Sequence, residues 1–192
     1  MEILTIQDTE ITFRGVGRLQ HAFPICSIHS NPKSPPLPTK KSSAQPNVTA
    51  PEIEIGEFMQ CSHTAEASWK ALKGKVVVFV FWATWSSASV EAIPYINDLA
   101  SKMTDKPVQF IMVALEQESY RKVEIIKDFL DKTKVIPWVA LDSDKIMYDQ
   151  YVKMSGVSGI PLMVVVDQDR KVVSVSRPDK VTEKTINKLL EK

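Results

Sequence analysis

The side chains able to do chemistry are few. Ser86 and Ser89 stand one helical turn apart, directly after Trp85, where the chain changes from an apolar run to a helical repeat. A serine hydroxyl becomes a nucleophile only with a general base within hydrogen-bond reach. The histidines are His21, His29 and His63, all upstream of the serines, and the first two lie in or beside a stretch without core-forming pattern. His63 has Cys61 near it but no further ligands at metal spacing. Hydrolase and metal chemistry are therefore not expected, and no cofactor is implied. Cys26 and Cys61 are too few for a disulfide framework and read as free thiols, since Cys26 lies in a polar linker.

The elements around the two serines are more informative. Val76 to Trp82 is a continuous apolar run rich in β-branched and aromatic residues, the pattern of a central strand buried on both faces. Val90, Ile93, Ile96, Leu99 and Met103 then recur at helical spacing, which predicts a helix with one buried face. Ser86 falls where that helix needs an N-cap, a role serine fills well. Pro94 lies inside the helix, and Trp82 is expected in the core. Beyond them, Val108–Leu115 reads as a strand, Tyr120–Lys132 as a helix, Pro137–Leu141 as a strand and Lys145–Val152 as a short helix. A hairpin of 161–167 against 171–176 and a helix over 181–192 close the chain. Strands alternating with helices imply right-handed parallel crossovers, and the terminal hairpin makes the sheet mixed.

Upstream, Glu52-Ile-Glu-Ile55 alternates like a half-exposed strand, and the folded domain is expected to span 51–192. Residues 1–50 read as an extension: a hairpin over 2–13, then a Pro-, Ser- and Lys-rich stretch with too little apolar content to build a core, expected to be disordered. From Ile11 to Pro51 there is no acidic residue, a composition shared with organelle transit peptides, although Glu2, Asp8 and Glu10 sit at the start. A plain linker and a cytoplasmic location are the expectation, with organelle targeting the alternative. Pro35-Pro36-Leu37-Pro38 and the sequon Asn47-Val48-Thr49 read as incidental. A net charge of +1 gives no electrostatic reason to expect nucleic acid. No apolar run approaches the roughly 20 residues that span a bilayer. A monomer is expected.

Phe81-Trp82-Ala83-Thr84-Trp85 with Ile93-Pro94, and Gly159-Ile160-Pro161 followed by Leu162-Met-Val-Val-Val-Asp167, resemble the thioredoxin superfamily in its TlpA-like and AhpC/TSA-like redoxin branch. The resemblance covers roughly residues 51–192. It implies a three-layer α/β fold with a central mixed sheet flanked by helices, a cis-proline at Pro161, and a protein or peptide client held by Trp85 and the Ile160-Pro161 loop. It also implies thiol–disulfide exchange by a Cys-x-x-Cys pair, and here the sequence departs from the family: the attacking and resolving positions are Ser86 and Ser89. Exchange needs a thiolate at the helix N-terminus, stabilised by the macrodipole, and a second thiol to resolve the mixed disulfide. Neither serine supplies one. Two origins fit the double serine, an engineered replacement in an active oxidoreductase or a natural loss. Ala88 where relatives usually have proline, Val90 where they often have a basic residue, and Val80 where many carry a buried Asp, Asn or Glu favour natural loss. The expected function is a redox-inactive client-binding module, with a TlpA-like thiol–disulfide oxidoreductase as the alternative.

Overall fold

A computed structural model of the chain describes residues 3–6, 27–30, 48–55, 57–61, 66–116, 121–142, 145–152 and 156–191. The chain forms two compact units, 1–41 and 42–192. In the first, β1 (Ile3–Ile6) pairs in parallel with β2 (Ser27–Ser30). The partner of the first strand thus lies more than twenty residues further on. Residues 7–26 and 31–47 lie outside the described residues, and with them the second arm of the expected hairpin, His21, Cys26 and the proline cluster at 35–38.

The second unit is built on β5 (Val76–Trp82), in which every residue is buried. A strand this apolar has no solvent face to offer, so both faces must be covered, and the sheet supplies neighbours on both sides. β6 (Val108–Ala114) runs parallel to it and β8 (Leu162–Val166) antiparallel. β7 (Trp138–Leu141) extends the sheet parallel to β6, and β9 (Lys171–Ser176) pairs antiparallel with β8. The edges are the two-residue β3 (Val48–Thr49) on β9 and β4 (Glu57–Gln60) on β7, both antiparallel. The order is β3-β9-β8-β5-β6-β7-β4, a seven-stranded mixed sheet.

Alternation along β5 divides the core. Val76, Val78, Val80 and Trp82 face α1 (Ser87–Lys102), α2 (Lys122–Lys132) and α4 (Glu183–Leu190) through Ile93, Ile96, Ile126 and Ile186. Val77, Phe79 and Phe81 face α3 (Ile146–Tyr151) and the turns over 66–75, through Met147, Tyr151 and Leu72. Phe79 and Tyr151 meet at 5.2 Å between ring centroids. The Tyr151 hydroxyl donates to the Pro51 carbonyl at 2.6 Å, and the Trp69 indole N–H donates to the same oxygen at 2.7 Å. Burial raises the Tyr151 phenol above its ordinary pKa.

One expected strand is not a strand. Residues 52–55 alternate in burial as the pattern predicts, with Ile53 and Ile55 packed on the core, yet they make no ladder; the Glu54 N–H meets the Met147 sulfur at 3.3 Å instead. The edge strand lies just downstream at Glu57–Gln60. A short 3-10 helix at Pro178–Lys180, between β9 and α4, was not foreseen. No helix among the described residues is long and apolar enough to cross a membrane.

Candidate functional site

The site lies where β5 hands over to α1. Trp82 ends the strand in full burial, its ring tilted against Phe129 at 5.3 Å. The next residues turn upward out of the sheet: Ala83 is buried, Thr84 half-buried, and Trp85 is 55% exposed. A large apolar ring left this open beside a helix N-terminus is unusual enough to mark a surface. Ser86 then caps α1. Its backbone is extended, and its hydroxyl accepts the Ser89 N–H at 3.3 Å, satisfying one of the donors a helix start leaves open.

Ser89 differs. It is fully buried, and its hydroxyl has no hydrogen-bond partner among the described residues. An unpaired buried hydroxyl costs about 1–3 kcal/mol, a cost that a group demanding no partner would not incur. A thiol, which behaves as a small hydrophobe, would meet that condition.

The loop is held from the neighbouring strand. Glu116, just past the end of β6 and 4% exposed, accepts the Thr84 N–H on Oε1 at 2.8 Å. Sequence reasoning passed over this residue. Its signal was a single carboxylate directly after an apolar parallel strand, at the end of the sheet where the loop residues gather.

Across from α1 lies the loop before β8. The Ile160–Pro161 peptide is cis, as the resemblance implied. Pro161 is buried and Ile160 half-buried. The Arg177 guanidinium donates to the Pro161 carbonyl at 3.3 Å. Pro161 shares a groove of about 410 Å³ with Ala88, Ala92 and Tyr95 of α1 and with Arg177, Pro178 and Asp179. Tyr95 is anchored by its hydroxyl, which donates to the Val181 carbonyl at 2.7 Å. Partial burial, with Asp179 and then Asp98 nearby, raises its phenol above the ordinary value.

A family profile for redoxins matches residues 40–190. The chain belongs to the redoxin family. Among its relatives, thiol-disulfide oxidoreductase ResA of Bacillus anthracis is 31% identical over 104 residues, covering 54% of this chain and 56% of the relative. The ResA of Oceanobacillus iheyensis is 25% identical over 83 residues, covering 43% and 41%. The chain thus spans about half the length of the named relatives it matches. Two solved structures share the fold. A thiol:disulfide interchange protein of the thioredoxin family from Chlorobium tepidum superposes with a TM-score of 0.60 at 20% identity, covering 77% of this chain and 98% of that one. A secreted thiol-disulfide isomerase from Corynebacterium glutamicum gives 0.59 at 16% identity, covering 74% and 86%.

Within this redoxin, the residues singled out from sequence divide clearly. Trp85, Ser86 and Ser89 stand together at the head of α1, and Pro161 reaches the same helix through the groove it shares with Ala88. Val80 lies fully buried among apolar neighbours, so β5 brings no acid to the site. Pro94 is inside α1, where it leaves the Val90 carbonyl without its intrahelical donor. Cys61 is exposed and free, and His63 lies outside the described residues. Among the described residues no group of three or more His, Cys, Asp or Glu side chains could hold a metal ion.

Proposed function

We propose that this redoxin, with the residues it carries, binds an extended segment of a protein client against Trp85 and the Ile160-Pro161 loop and does not exchange disulfides. The observation behind this reading is the state of the helix N-terminus. The attacking position holds a hydroxyl already engaged as an N-cap, and a hydroxyl neither ionises near neutral pH nor forms a disulfide. What remains is an exposed indole, a half-buried Ile160 and a groove, the parts of the site that recognise rather than react. An extended client would add main-chain hydrogen bonds beside Ile160 and place side chains to either hand. The reading carries with it a monomer, and a cytoplasmic location unless the acid-poor extension directs the chain to an organelle.

A second reading has its own support, and the comparisons favour it. The relatives are named thiol-disulfide oxidoreductases, and Ser89 sits in a space that suits a thiol better than a hydroxyl. On this reading the functional chain has cysteine at 86 and 89, and exchanges disulfides with the same clients.

One pair of measurements separates them. Dithiol-dependent insulin reduction by this chain, with Cys26 and Cys61 alkylated, should equal the reductant blank. The codons for 86 and 89 in the source gene decide the rest: serine codons support the binding module, and cysteine codons overturn it in favour of the oxidoreductase.

A further inference from the structure

The groove beside the cis-proline loop has a composition that names its occupant. Ala88, Ala92 and Tyr95 recur at i, i+4 and i+7, so they form one stripe along α1. Two alanines and a tyrosine make the helix side of the groove. Ala88 is exposed and Ala92 half-buried, so the space of about 410 Å³ exists because these side chains are short. Pro161 and Pro178 also line it. From Ser87, just after Trp85, to Tyr95 is about 12 Å of helix rise, the length of about four residues of extended chain. Trp85 and Tyr95 are the large hydrophobics left exposed along this stretch, at 55% and 37%.

The charges at the rim are unequal. Asp179 is paired with Lys180 at 3.0 Å. Arg177 meets only a neutral carbonyl, that of Pro161, and among the described residues it makes no ion pair. Its guanidinium retains donors beyond the one given to Pro161. The other charge lining the groove, Asp179, is answered by Lys180, so the charge at the rim not held in an ion pair is that of Arg177. A side chain with an apolar stem and an anionic tip would match both the apolar floor and this rim.

We propose that the Ala88–Ala92–Tyr95 groove is a side-chain subsite for an extended acidic client segment, with a glutamate stem lying on the alanines and its carboxylate meeting Arg177. This rests on the client-binding reading above and specifies which clients it favours. The subsite needs no chemistry at 86 or 89, so it would select the same clients in an exchanging form of the chain.

The test uses the full chain and three fluorescein-labelled nonapeptides, extended and otherwise identical, with Glu, Gln or Lys at the centre. Binding is followed by anisotropy at low and at 0.5 M salt (roughly 4 Å screening). For a solvent-exposed pair, the Glu peptide should bind about threefold to fivefold more tightly than the Gln peptide, and the difference should vanish at high salt. Arg177→Gln should erase the Glu preference, so that this variant binds the Glu and Gln peptides alike. Ala88→Leu, which fills the groove from its exposed side, should weaken both the Glu and the Gln peptides. Unchanged circular dichroism excludes misfolding for either variant. Equal affinity for the three peptides, or preference for Lys, overturns the subsite. If in that case Trp85→Ala still abolishes binding, the client reading stands without it. If no peptide binds at all, the client reading fails and the subsite with it.

Discussion

The two serines predict opposite effects on stability. Ser89 buries a hydroxyl with no partner at the third position of α1, whereas Ser86 uses its hydroxyl to cap the same helix. Replacing Ser89 by Ala removes an unsatisfied polar atom, a gain of about 1–3 kcal/mol, from which a small packing loss is subtracted. Alanine also has the better helix propensity by roughly 0.5 kcal/mol. A net gain of about 1–2 kcal/mol follows, and Ser89→Cys should gain at least as much, because sulfur fills the space. Replacing Ser86 by Ala should instead cost about 1 kcal/mol, the usual worth of a serine cap. For a chain of this size each kcal/mol moves Tm by about 2–4 °C. Thermal unfolding under reducing conditions should therefore rise by several degrees for Ser89→Ala and Ser89→Cys, and fall by a few for Ser86→Ala. A lower Tm for Ser89→Ala would mean that the hydroxyl has a partner, and would refute the view that position 89 is built for sulfur.

Three further outcomes are expected. Glu116→Leu should destabilise by about 1–3 kcal/mol, because the Thr84 N–H loses its acceptor, and should lower the fluorescence anisotropy of Trp85; Glu116→Gln keeps an acceptor oxygen and should change both little. Tyr151→Phe should cost only about 1 kcal/mol in urea unfolding, because the Pro51 carbonyl keeps the Trp69 indole as donor. Asp142 is raised above its ordinary 3.8 by burial, against the N–H groups of Tyr148 and Met147 that it accepts. A raised carboxyl binds its proton more tightly in the folded state, so its contribution is full below the ordinary value and is lost as pH rises through the folded one. The difference in unfolding free energy between wild type and Asp142→Asn should therefore shift against wild type across that window, and a flat difference would show that Asp142 is not the source.

What the sequence made legible depended on how local the cause was. β5 and α1 were readable because their signals are self-contained: an unbroken apolar run for a strand buried on both faces, and apolar residues at helical spacing for a half-buried helix. The Ser86 cap was readable for the same reason. β3 was not, since a two-residue strand has no period, and its place is set by Lys171 and Val172 far along the chain. Residues 52–55 misled because alternating burial arises wherever a chain lies flat on a core, with or without a ladder. Glu116 was invisible because its role is a bond to a backbone N–H thirty-two residues upstream. The groove required the pairing of β8 with β5, which brings Pro161 against α1.

Positions 86 and 89 also bear unequally on the origin of the double serine. The serine at 86 suits this redoxin as it stands, because the helix gains a cap and nothing is left unpaired. The serine at 89 does not: roughly 1–3 kcal/mol is available to a simple alanine there. Substitutions that recover stability at no cost to function are easily reached when a site has lost its chemistry. An unpaired hydroxyl at 89 is what replacing a cysteine by serine would leave, whether by natural loss or by engineering, because a thiol fills the same space without demanding a partner.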